Sequence, residues 1–337
     1  MAVRLKDIAR DLGVSTVTVS KVLRGRADIG DETRQRVLKR MAELNYQPNM
    51  LARGLASGRS YAVGLVVPDL VHPFFGEFAK SLAVTLRAHG LALVIASSEE
   101  DPGIERQEIR TLLGRGVDVL LVASCQPAAR LPDLLAEATA PVLLIDRNFA
   151  GRKVDFVGSD DVAIGEVATR HLIDLGRRRI AHIGGRGLSP SNDRLKGYRR
   201  ALAAAGIDVP DSYVVTRDRF EESGDATGYQ AMQELLALKE RPDAVFCYND
   251  LSAIGAMEAA LQAGLRIPDD VAFVGCGNLR YARYLRIPLT SVDQASDRLG
   301  EAAARRAVEL AAEPDRPIEV VRLEPRLIIR HSTVPPA

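Results

Sequence analysis

Three cysteines in 337 residues, none in a CxxC pair, leave little for disulfide or zinc chemistry. Cys125, Cys247 and Cys276 each stand in an apolar, strand-like stretch and are expected as buried thiols. The histidines, His72, His89, His171, His182 and His331, are scattered without ligand spacing, so no metal site and no cofactor are predicted. Long apolar runs are missing as well: nothing approaches the roughly 18 residues of a membrane span. The charged start MAVRLKDIAR does not read as a signal peptide, and the expected location is the cytoplasm, with no membrane partner. The chain has no GxxxxGK[ST], HExxH or GxSxG element. Its one glycine cluster, Gly184-Gly185-Arg186-Gly187, lacks the third glycine of a dinucleotide fingerprint and opens on Leu188-Ser189-Pro190. With no nucleophile and base in sight, the chain reads as a binder and not an enzyme.

Charge is nearly balanced overall at +1, but it is unevenly spread. Residues 1–60 hold twelve Lys or Arg against six Asp or Glu, an excess of +6, so the remainder carries −5. One end is therefore suited to a polyanion and the other is not. Within that basic end, Leu5, Ile8, Ala9 and Leu12 share a helical face, and Gly13 stands where a left-handed residue closes a helix. Ser15 can cap a second helix that buries Val19, Val22 and Leu23 and turns Thr16, Val17, Ser20 and Lys21 outward. Gly30 or Asp31 caps a third, whose Val37, Leu38, Met41 and Leu44 can close a three-helix core. Two short helices around a Gly-containing turn, the second with small polar residues outside, read as a helix-turn-helix for double-stranded DNA.

From Tyr61 onward apolar runs alternate with amphipathic stretches. Strands are expected over 62–67, 92–96, 117–123, 142–145, 155–158, 180–183, 244–248 and 271–275, and helices over 76–88, 104–113, 163–175, 194–205, 226–238 and 251–263. That alternation builds doubly wound parallel sheets, and its length calls for two lobes with a cleft between them. Ligands of such sheets sit beyond the strand carboxyl ends. Here those ends carry His72-Pro73-Phe74-Phe75, Asp146-Arg147, Asn249-Asp250 and Cys276-Gly277-Asn278. Aromatic faces beside carboxylate, amide and guanidinium suit a small polar ring. Structural roles stay open to the same residues: Phe74 and Phe75 as core, Arg194 paired with an acid, Asp250 as a helix cap.

The run GVSTVTVSKVL, then Thr33-Arg34, Leu44-Asn45-Tyr46-Gln47-Pro48-Asn49 and Ala52-Arg53-Gly54-Leu55, resembles the N-terminal signature of the LacI/GalR family of bacterial transcription regulators. The likeness continues in order through Val67-Pro68-Asp69, Ile145-Asp146-Arg147, Arg194-Leu195-Lys196-Gly197-Tyr198, Asn249-Asp250, Leu289 to Gln294 and Pro325-Arg326-Leu327. It implies an α/β chain with an N-terminal three-helix helix-turn-helix head (1–47), a hinge helix or linker (48–60) and a two-lobed, periplasmic-binding-protein-like body (61–337). Lobe 1 would span about 61–160 plus 293–322, and lobe 2 about 161–290 plus 323–337. The implied DNA contacts are Lys6, Ser15, Thr16, Val17, Thr18, Ser20, Lys21, Arg24, Thr33, Tyr46, Asn49, Ala52, Arg53 and Leu55, the last as a minor-groove wedge unless it packs on the body. The implied effector contacts are Phe74, Phe75, Asp146, Arg194, Phe220, Asn249 and Gln294. The chain departs from the family pattern at Arg24, at Gly30 and at Gly277, which stands where an Asp is usual. The function implied is a cytoplasmic, nucleoid-associated, homodimeric repressor of a pseudo-palindromic operator, gated by a sugar or sugar acid ahead of a purine. A secreted sugar receptor with the same body would need export in place of the basic head.

Overall fold

In the computed structural model, which describes residues 3–23, 28–46, 58–149, 151–216 and 224–335, the chain divides into two units, one ending at Ser60 and one beginning at Tyr61. The first holds α1 (Leu5–Leu12), α2 (Thr16–Leu23) and α3 (Asp31–Glu43). Gly13 adopts φ 65°, and the Gly13 and Val14 N–H groups return to the carbonyls of Arg10 and Ala9, which ends α1 and turns the chain. Ile8, Ala9, Val19, Val22, Val37 and Met41 form the small core. Leu38, expected in that core, is 45% exposed. It follows Val37 directly, and at 100° per residue adjacent positions cannot both face inward on so narrow a stripe. Gly30 is the N-cap of α3.

The second unit contains two six-stranded sheets. The first has the order β11-β5-β4-β3-β1-β2 and is parallel throughout, with β1 Ala62–Val67, β2 Ala92–Ser97, β3 Val119–Val122, β4 Val142–Ile145, β5 Asp155–Ser159 and β11 Val320–Leu323. The second has the order β12-β10-β9-β8-β6-β7, with β6 Ile180–Ile183, β7 Val214–Val215, β8 Ala244–Cys247, β9 Ala272–Cys276, β10 Thr290–Asp293 and β12 Arg326–Ile328. Only β12 runs antiparallel. The central strands β3, β4, β6 and β8 are buried at every position, as strands covered on both faces must be.

Helices α4 (Pro73–Ala88) and α11 (Ser296–Ala312) cover one face of the first sheet through Leu82, Leu86, Leu299 and Ala303, and α5 (Pro102–Gly114) covers the other through Ile109 and Leu112. A short α6 (Leu131–Glu137) precedes β4. On the second sheet, α7 (Asp161–Asp174) and α8 (Ser189–Ala204) bury Ile164, Leu172, Tyr198 and Leu202, while α9 (Gly224–Leu236) and α10 (Asp250–Gln262) bury Leu235 and Ala256 on the opposite face. Each fully buried large side chain contributes roughly 1.5–3 kcal/mol of transfer free energy.

Every strand and helix expected from Tyr61 onward forms, with ends shifted by a few residues. The helix expected from Arg194 begins five residues earlier at Ser189, because Pro190 belongs to its first turn. Unexpected are α6, α11, β7, β10, β11 and β12. The inner face of α11 is largely alanine, which mutes the periodic signal, and the four strands are only two to four residues long, too short to show a period of their own. The chain passes between the sheets at Asp160, after Asp293, and between Leu323 and Arg326.

Candidate DNA-reading helix and inter-lobe cavity

In the head, Ser15 caps α2: its Oγ accepts the Thr18 N–H at 3.0 Å and lies 2.9 Å from the Thr18 hydroxyl. Thr16 and Val17 project outward, Val17 at 59% exposure, and Lys6 is also exposed. Thr18, Ser20, Lys21, Thr33 and Tyr46 are half-buried, and Tyr46 packs against the head core. Lys21 Nζ pairs with Asp28 at 2.6 Å, and Arg40 binds Asp11 and Glu43, so part of the basic excess is spent within the head. The expected contacts Arg24, Asn49, Ala52, Arg53 and Leu55, and the effector candidate Phe220, lie outside the described residues, as does the linker up to residue 57.

In the body, the strand carboxyl ends of both sheets face a cavity of about 370 Å³. Phe74, Phe75, Asp146, Arg194, Asn249 and Gln294 all line it. Phe74 and Phe75 sit in the first turn of α4, edge to face at 5.0 Å, and besides lining the cavity they belong to the core of the first sheet, the structural role open to them. His72 caps that turn, its Nδ1 accepting the Phe74 N–H at 3.3 Å. Burial holds this imidazole down at about 4, so it is neutral at pH 7 and free to accept. Asp146 follows β4 in the left-handed region at φ 59°, and burial pushes its carboxyl up against the opposing pull of Arg147.

Arg194 is buried, with Nε and Nη2 on Asp161 at 2.9 and 2.8 Å and Nη1 on the Tyr248 carbonyl at 2.7 Å. Asp161 and Arg194 meet because α7 and α8 cross at glycines: a Cβ on Gly165 would stand 2.1 Å from the Arg194 carbonyl oxygen, and one on Gly197 2.1 Å from that of Val162. The guanidinium also lies over the Tyr248 ring, 4.7 Å from its centroid, and burial raises the Tyr248 hydroxyl to about 12.

Asn249, not Asp250, caps α10, its Oδ1 accepting the Ser252 N–H at 2.8 Å. Asp250 instead accepts the Leu279 N–H at 2.8 Å and the Ser291 hydroxyl at 2.6 Å, tying α10 to the ends of β9 and β10. Gly277 has φ 125°, a conformation side chains rarely adopt, and a Cβ there would lie 3.7 Å from Asp250 Oδ2. The carboxylate missing at 277 is thus matched by one close by at 250. Gln294 follows β10 and reaches Ser159 at the end of β5, 3.5 Å away.

Residues missing from the expected set are Glu100, Arg186 and Tyr248, with Arg147 noted only as the neighbour of Asp146. All four follow strand carboxyl ends, a signal that points to them without ranking them. Cys276 lines the cavity as a buried thiol raised to about 12, and Cys125 and Cys247 are buried and free.

Two family profiles match the chain: "Bacterial regulatory proteins, lacI family" over residues 4–49 and "Periplasmic binding protein-like domain" over residues 169–333. The chain is 32% identical to the HTH-type transcriptional repressor PurR of Mannheimia succiniciproducens, over 97% of this chain and 98% of that protein. It is 33% identical to the ribose operon repressor of Escherichia coli, over 97% and 99%. Among solved structures, the lac repressor dimer bound to operator and the anti-inducer ONPF superposes with a TM-score of 0.87 at 25% identity, covering 99% of each chain. A basic helix-turn-helix head, a body of two facing sheets and likeness along nearly its whole length place the chain in the LacI family of bacterial regulatory proteins, as a DNA-binding repressor with an effector-binding body.

Proposed function

We propose that this repressor works as a cytoplasmic homodimer on a pseudo-palindromic operator and that a small polar ring in the inter-lobe cavity sets its operator affinity. The observation that carries the reading is the convergence of Phe74, Phe75, Asp146, Arg194, Asn249 and Gln294, from both sheets, on one cavity. Its volume of about 370 Å³ suits a monosaccharide or nucleobase. The relative named as a ribose operon repressor points to the same size class. In the head, Thr16, Val17 and Lys21 are assigned to base edges, while Lys6, Ser15, Thr18, Ser20, Thr33 and Tyr46 hold phosphates or position the helix. Arg24, Asn49, Ala52, Arg53 and the Leu55 wedge complete the proposed contact set.

The body acts here as a receptor without catalysis: the Cys276 thiol is held protonated and the His72 imidazole is engaged as a helix cap. The test is a fluorescence-anisotropy titration of operator DNA, found by selection from a randomised library, with and without sugars and nucleobases that raise the melting temperature of the full chain. A ligand that stabilises the protein must also shift operator affinity. A protein whose operator affinity no stabilising ligand alters would end the reading.

A further inference from the structure

Between β2 and α5 two consecutive residues lie in the left-handed region, Glu99 at φ 49° and Glu100 at φ 55°. Backbone of that kind persists in residues with side chains only where the surroundings over-determine it. Its consequence is the position of Glu100, between Arg147 after β4 of the first sheet and Arg186 after β6 of the second. Arg147 Nη1 donates to Glu100 Oε2 at 3.0 Å and Nη2 donates to Oε1, a bidentate pair. Arg186 Nη1 donates to the Glu100 carbonyl at 3.0 Å and stands 3.5 Å from Oε2. The remaining guanidinium among the described lining residues, Arg194, is held by Asp161.

We infer that Glu100 is a specificity-determining residue: it takes the place a ligand anion would occupy on Arg147 and Arg186, so the cavity selects uncharged polyhydroxyl rings and rejects their carboxylate and phosphate derivatives. The inference rests on the cavity being the effector site. The polar groups left over fit it. The Asn249 amide has committed its oxygen to capping α10, which leaves its NH2 group as a donor, and Asp146 stands in the same lining. N–H donors beside a carboxylate match hydroxyls, which both accept and donate. A further negative charge would meet Glu100 and Asp146 in a site of low effective dielectric.

The test compares the full-length wild type with Glu100→Gln by calorimetric titration of sodium sulfate and sodium gluconate against sodium chloride at equal ionic strength. The double variant Glu100→Gln/Arg186→Ala is carried alongside. Wild type should show no saturable anion binding, Glu100→Gln should bind saturably with a Kd at least tenfold below the highest concentration at which wild type shows none, and the double variant should lose the gain. Equal binding by wild type and Glu100→Gln, or a gain that survives removal of Arg186, overturns the proposal. Should Glu100→Gln not fold, wild type alone still decides: binding of D-ribose or D-glucose without gluconate supports the assignment, and saturable gluconate binding refutes it. Failure of the effector reading has a different signature, a wild type that binds no uncharged sugar while Glu100→Gln gains sulfate, and that result upholds the role of Glu100.

Discussion

At the scale of single residues, Arg194 carries the sharpest consequence. Removing it leaves the Asp161 carboxylate buried and the Tyr248 carbonyl without its donor, so Arg194→Ala should cost about 3–5 kcal/mol of stability in urea unfolding. An effector-response test on that variant would therefore mix folding with binding. Asp146→Asn is cleaner, since asparagine tolerates the left-handed backbone at φ 59° and keeps the shape. It should leave the melting temperature and operator affinity near wild type and weaken effector binding tenfold or more; an unchanged effector Kd would remove Asp146 from the site. His182 gives a pH dependence. It is fully buried, stacked between Tyr198 and Phe246, with Nδ1–H donating to the Phe246 carbonyl at 3.0 Å, and burial lowers it from 6.5 to about 4. The unfolded chain takes up that proton first, so the stability tied to neutral His182 is present above pH 6.5 and is lost as pH falls toward 4. Asp161 and Asp250, both pushed up to about 6 by burial, act with the opposite sign, which makes the difference between wild type and His182→Phe the quantity to measure. It should shrink by about 1.4 kcal/mol per pH unit below 6.5, and a pH-independent difference would contradict the assignment.

At the scale of elements, α2 separates two roles. Ser15→Ala removes the N-cap and should cost about 1 kcal/mol of head stability while lowering affinity for all DNA sequences alike. Substituting Val17, which projects into solvent, should change which half-site bases are preferred by about 1–3 kcal/mol in a randomised-operator selection. Identical base preferences in wild type and variant would take Val17 out of the reading role. The α7–α8 crossing is the element on which the cavity depends. Gly197→Ala forces a methyl against the Val162 carbonyl and must spread the two helices, so it should destabilise the body and weaken the effector together by displacing Arg194 from Asp161.

On the scale of the whole molecule, an effector can control DNA only by binding one arrangement of the lobes better than another. Contacts that join the lobes are already in place: Glu77 of α4 pairs with Arg280 at 2.9 Å, the Asn148 N–H donates to Ser189 Oγ at 2.8 Å, and Arg186 reaches Glu100. A ligand that strengthens or loosens this set should shift operator affinity by about 1–3 kcal/mol, and linkage requires operator DNA to shift effector affinity by the same factor. Measuring both couplings on one preparation checks the scheme, and unequal factors would rule out a single linked equilibrium.

The sequence by itself determined the helix-turn-helix, the alternation of strands and helices, and the strand-end residues Phe74, Phe75, Asp146 and Asn249 that meet in the cavity, while Arg194 and Gln294 were implied by the family resemblance alone. Those features are written locally: Gly13 closes α1, Ser15 opens α2, and runs such as Val119–Val122 are apolar without interruption because both faces are covered. Only the tertiary structure decided what those residues touch. Arg147 meets Glu100 across 47 residues and Arg186 meets it across 86, so no local period records either pair. Asp250 looked like a helix cap until β9 and β10 brought Leu279 and Ser291 to its oxygens, and β12 pairs with β10 although its three residues carry no strand signal of their own. A three-residue strand or a buried carboxylate takes its role from the partner that packing supplies, and packing is a property of the whole chain.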